Sequence, residues 1–95
     1  MTVFDPPHTL HDAGQVDLIS RRLKRAHGQL GAVVRMLEEG SPCEEIVMQM
    51  AAVGKAVNTA AFTLISSSLK ERLVDPTVDS EPMTDRLQKL FLSLA

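Results

Sequence analysis

The 95-residue chain has no Trp, no Tyr and only three Phe, so its core must come from Leu, Val, Ile, Met and Ala, the mixture that packed helices use. A single cysteine, Cys43, excludes an intramolecular disulfide and suggests a reducing compartment. No run of about 18 apolar residues occurs, which excludes a transmembrane helix. The stretch from Met1 to Gly14 holds prolines and histidines but no apolar segment of the kind a signal peptide needs. The expectation is a soluble cytoplasmic protein without membrane contact. Glycine is sparse, no strand-like alternation appears and no repeat is present, which leaves an all-α chain. Enzyme chemistry finds no constellation either. There is no phosphate loop and no nucleophile elbow, and only His8 or His11 could act as a base for Cys43.

The pattern that is present is helical. From Val16 to about Glu39, the residues Ile19, Leu23, Ala26, Leu30, Val33, Val34 and Leu37 recur at three- and four-residue steps and predict one buried stripe. Gly40 supplies a stop and Ser41 a restart. The second run, Pro42 to about Leu73, carries Ile46, Val47, Met50, Val53, Val57, Ala60, Ala61, Leu64, Ile65 and Leu69 on one broad face. At 1.5 Å per residue it is roughly 45 Å long, more than the other helices can cover. Ala51, Ala52, Gly54, Ala56, Ala60 and Ala61 thin its middle and let a neighbouring helix approach, so the expectation is at least a homodimer. Asp75-Pro76 ends the run, and Pro82 to Leu94 gives a short third helix with Met83, Leu87, Leu90, Phe91 and Leu94 facing inward. Residues 1–15 form an expected flexible arm ahead of one helical domain, 16–95.

Charge is unevenly spread. The net charge is −2, yet Arg21, Arg22, Lys24 and Arg25 put four cations into five residues. Acidic residues collect at Glu38, Glu39, Glu44 and Glu45 and again between Asp75 and Asp85. A basic run on a helix is either a solvated face or a phosphate-binding surface. An acidic total favours the competing reading, a helical protein-interaction module that does not bind DNA. Met36, Met48, Met50 and Met83 read as core filler rather than copper ligands, and His27 as a partly exposed helix residue.

Cys43 stands at the head of the second helix. Ser41 is the expected N-cap, with Pro42 at the first helical position and Glu44 closing a capping box. Backbone N–H groups and the positive helix end would then face the sulfur, making Cys43 either a candidate nucleophile or metal ligand, or a small buried hydrophobe.

The segment from Arg21 through Arg25-Ala26-His27-Gly28-Gln29-Leu30, then Cys43, then Gln49-Met50-Ala51-Ala52-Val53 and Ala56-Val57-Asn58, resembles the CsoR/RcnR/FrmR family of bacterial repressors. The resemblance spans roughly residues 16 to 94. It implies a three-helix protomer, an antiparallel four-helix-bundle dimer and a dimer-of-dimers tetramer. It also implies operator DNA binding relieved by an inducer: Cu(I), Ni(II) or Co(II), formaldehyde, or sulfane sulfur. Arg21, Arg22, Lys24, Arg25 and Gln29 are then the expected DNA contacts. Lys55 joins them near a position where relatives carry an arginine.

The inducer site departs from the family pattern. Metal-binding members pair a cysteine matching Cys43 with two ligands near the end of the partner's second helix, and those positions here are Ser68 and Arg72. Neither suits a soft metal. A transition metal would have to rely on Cys43 with His11, or with nearby His8, where the nickel branch uses an N-terminal ligand. The alternatives are a pocket in which the Arg72 guanidinium and the Ser68 hydroxyl flank Cys43, suited to an anion or a thiol-reactive species, and a repressor that has lost its inducer response.

Overall fold

The computed structural model describes residues 8–74 and 81–94, with the backbone alone for 81–84. Three helices follow in order: α1 (Ala13–Glu38), α2 (Cys43–Leu73) and α3 (Glu81–Ser93). The described residues contain no strand. The Asp75-Pro76 break and the side chain of Met83 lie outside the described residues.

α1 starts at Ala13, ahead of the expected Val16, because Asp12 caps it. Asp12 has extended backbone angles and its carboxylate accepts the N–H of Gln15 at 3.1 Å. At the far end Gly40 adopts a positive φ of 76°, which only glycine takes without strain. The N–H of Ser41 donates to the Met36 carbonyl at 2.9 Å and that of Glu39 to the Arg35 carbonyl at 2.8 Å, closing the helix end.

This closure overturns the expected cap of α2. Pro42, at φ −57° and ψ 138°, occupies the cap position, the helix begins at Cys43, and no side chain caps it. The Ser41 N–H is spent on terminating α1, and Pro42, extended at its ψ rather than its φ, stays outside the helix, so no capping box forms. Glu44 and Glu45 in the first turn still oppose the positive helix end.

α1 and α2 form an antiparallel hairpin. Its core is a narrow seam: Ile19, Ala26 and Val33 on α1 meet Ile46, Val53 and Ala60 on α2, each set recurring every seventh residue. Val33, Ile46 and Val53 pack together with Met36 against them. Much of the expected stripe is outside this seam. Leu23, Leu30, Val57 and Leu64 are 42% to 48% exposed, and Met50 and Met48 are more exposed still, so they are not filler within the protomer. α3 lies against α2 through Phe91 and Phe62, whose ring centres are 4.8 Å apart. Leu87 and Leu94 are half-buried, whereas Leu90 and much of Phe91 face solvent, contrary to the inward set expected. The molecule is a rod of 55 × 25 × 19 Å.

Candidate functional site

The two flanks of the hairpin differ in chemistry. At 100° per residue, Arg22, Arg25 and Gln29 leave α1 on one side of the core seam, and Leu23, His27, Leu30 and Val34 leave it on the other. On the first flank a groove of about 350 Å³ runs between the helices, walled by Arg22, Arg25, Gln29, Lys55 and Thr59 and floored by Ala26, Ala52 and Ala56. Arg22 donates to the Thr63 hydroxyl at 3.4 Å across the groove. Thr59 and Thr63 bond back to the carbonyls of Lys55 and Thr59, both at 2.9 Å, which fixes their rotamers along this wall.

Four of the six expected DNA contacts, Arg22, Arg25, Gln29 and Lys55, therefore come together. The other two do not. Arg21 points away and pairs with Asp17 at 3.1 Å, an exposed pair one turn apart. Lys24 lies on the opposite flank, lining a second groove with Leu23, His27 and Leu64.

The expected effector residues share one stripe of α2 but stand far apart in one protomer. Cys43 is exposed in the first turn. Ser68 is buried, Arg72 is half-buried, and both sit near the other end. Residues 43 and 68 are separated by roughly 38 Å of helix rise, and 43 and 72 by roughly 44 Å. Cys43, Met50, Val57, Ser68 and Arg72 fall within one narrow angular range of α2, on the flank opposite the basic groove.

His11 also lies far from Cys43 within the protomer, because the segment before α1 folds against the end of α2. The Glu71 carboxylate accepts the backbone N–H of His11 at 2.9 and 3.1 Å and that of Asp12 at 2.6 Å, and bonds the His8 ring at 3.0 Å. The His11 N–H foremost, then that of Asp12 and the His8 ring, hold the Glu71 carboxyl below its ordinary 4.5 against the opposing effect of partial burial. Nearby, Ser67 donates to the Gln15 side chain at 3.1 Å. Sequence reasoning missed Glu71, Ser67 and Gln15. Only Gln15 had a local signal, three residues after a capping Asp.

A metal-binding reading can be tested on these donors. No cluster of three or more His, Cys, Asp or Glu suited to a metal ion occurs among the described residues. Within one protomer Cys43 is a single soft ligand, and the Ser68 hydroxyl and Arg72 guanidinium that the resemblance would bring to it from a partner do not suit a soft metal.

Helices of this length and order, with a cation-walled groove on α1 and α2, agree with a family assignment: residues 15–93 match the model for the metal-sensitive transcriptional repressor family, and the chain belongs to it. That family is one of regulators, not enzymes. The copper-sensing transcriptional repressor RicR of Mycobacterium tuberculosis (strain ATCC 25618 / H37Rv) is 30% identical over 71 residues, 75% of this chain and 74% of RicR. An uncharacterized protein encoded in the bioA 5' region of Serratia marcescens is 30% identical over 87 residues, 92% of each chain. No solved structure matches. No helix among the described residues is long and apolar enough to cross a membrane.

Proposed function

We propose that this protein is a cytoplasmic, DNA-binding repressor that grips operator phosphates in the α1–α2 groove and is released by an effector acting at Cys43. The observation that carries the DNA reading is the convergence of Arg22, Arg25, Gln29 and Lys55 in one groove with a small-residue floor. Cations at that spacing neutralise phosphates, and the Gln29 amide can bond a phosphate or a base edge.

The assembly follows from the other flank. Leu23, Leu30, Val57 and Leu64 leave an apolar face that one protomer does not cover. A second copy packed antiparallel would bury it as a four-helix bundle, and two such dimers would form the tetramer that the family resemblance implies. A Cβ at Gly54 would meet nothing within 4 Å, so a helix can approach closely there. A two-fold crossing near Val57 brings Cys43 of one protomer to the Ser68 and Arg72 turn of its partner. It also sets the acidic Glu38, Glu39, Glu44 and Glu45 end against the basic Lys70 and Arg72 end, a complementarity that parallel pairing lacks.

In that composite pocket the guanidinium and hydroxyl flank a sulfur, and the effector is a thiol-reactive species. A second reading, a metal bound by Cys43 with the partner's His11, draws on the likeness to a copper sensor. One experiment separates them. Reduced protein is treated with Cu(I), Ni(II), formaldehyde, polysulfide or peroxide, then examined by native and intact-mass spectrometry and by gel shift on the DNA upstream of its own gene. A covalent mass gain on Cys43 with DNA release is expected. Release with a bound metal and no covalent gain supports the second reading, and absence of any shift with untreated protein refutes both.

A further inference from the structure

We propose that Glu71 is a positioning residue that fastens the start of α1 to the effector turn of α2 and so transmits events at Ser68 and Arg72 to the DNA-facing helix. The proposal rests on the reading of Ser68 and Arg72 as effector-facing.

The geometry carries it in two places. First, α1 has no acidic residue in its first turn beyond its cap Asp12, and Glu71 adds a second carboxylate there from another helix. It bonds the Asp12 and His11 amides at the positive end of α1, where a carboxylate is electrostatically favoured. Second, both expected effector residues have an immediate neighbour bonded to the α1 start. Ser67, beside Ser68, donates to Gln15, while Glu71, beside Arg72, holds His8, His11 and Asp12. A rotation or translation of this α2 turn cannot occur without breaking these bonds or carrying the α1 start along. α1 is one continuous helix from Ala13 to Glu38, so such a displacement reaches Arg22 and Arg25 without an intervening hinge.

The test is amide hydrogen exchange on the full chain at neutral pH, without DNA or effector. Glu71→Gln removes the charge while keeping the size, and the amides of His11 and Asp12 should exchange about tenfold faster, with overall helicity unchanged. Lys89→Ala, on the exposed face of α3, should leave them unchanged. For the coupling, Arg72→Ala should alter exchange at the α1 start in the wild-type background and not in the Glu71→Gln background. Unchanged exchange in Glu71→Gln overturns the fastening. An Arg72→Ala effect that is absent, or equal in both backgrounds, overturns the route through Glu71. Should Glu71→Gln lose helicity, the wild-type protein decides: in an acid titration followed by NMR, the His11 and Asp12 amide signals move with the Glu71 carboxyl carbon, Asp12, His8 and His11 side chains being tracked separately. Amide signals that move independently of Glu71 overturn the proposal. None of these readouts involves DNA, so a failed repressor reading would show only in the gel shift.

Discussion

Arg25→Ala and Lys55→Ala should each weaken DNA binding through the salt slope. Both side chains are exposed walls of the α1–α2 groove, so their truncation removes a cation without opening the core. Each phosphate neutralised contributes about 0.9 to the slope of log affinity against log salt, so each variant should lose about 0.9 per protomer engaged. Over a fourfold rise in salt, that loss changes the ratio of wild-type to variant affinity by about 3.5-fold per protomer. Arg21→Ala should do less, because Arg21 already faces Asp17 at 3.1 Å, and Lys24→Ala less again, because Lys24 lies on the other flank. The assay is fluorescence anisotropy with a labelled promoter duplex between about 50 and 200 mM salt, with helicity and oligomer size checked for each variant. Equal slope losses for Arg21, Lys24, Arg25 and Lys55 would mean a diffuse electrostatic surface and would refute the groove. So would an unchanged slope for Arg25→Ala and Lys55→Ala together.

Three further outcomes are expected. Ile46→Ala deletes side-chain volume beside Val33 and Val53 and should lower stability by about 2–3 kcal/mol, the low end for such a change because the seam is thin; urea unfolding at fixed protein concentration measures it. Gly40→Ala forces an L side chain to φ 76° and should cost about 1 kcal/mol in the same assay, with helix content retained. The Glu71 carboxyl lies below its ordinary 4.5, so its contribution to fastening α1 is present above that value and is lost as pH falls through the lowered folded value. Exchange at His11 and Asp12, corrected for intrinsic rates, should show that acid loss in the wild type, and it should flatten in Glu71→Gln.

The helices were legible because apolar residues recur at three- and four-residue steps, a local signal strong enough to end α2 correctly at Leu73. The division of those residues between an intramolecular seam and an open flank was not. Ile19 and Leu23 look alike in sequence, and only the angle at which α2 crosses decides that one is buried and the other half-exposed. The same holds for the basic run. Adjacent cations diverge by 100° around a helix, so Arg21 and Arg22 part company although they are neighbours. Ser41 misled because a serine before a proline satisfies the rule for starting a helix, while the short turn needed its N–H to finish the previous one. Glu71 had no local signature, since its partners lie about sixty residues away and a glutamate near a helix end ordinarily reads as solvated.

The alanine floor of the groove has a consequence for tracing the proposed DNA binding through related chains. Ala26, Ala52 and Ala56 carry no charge and make no hydrogen bond through their side chains, yet they create the depth in which the cations stand. A descendant that replaced Ala52 or Ala56 with leucine would keep every arginine and lysine and still fill the trough. On the proposed reading, function in such lineages is guarded by what is too small to notice, and a survey that tracks basic residues alone would miscount its members.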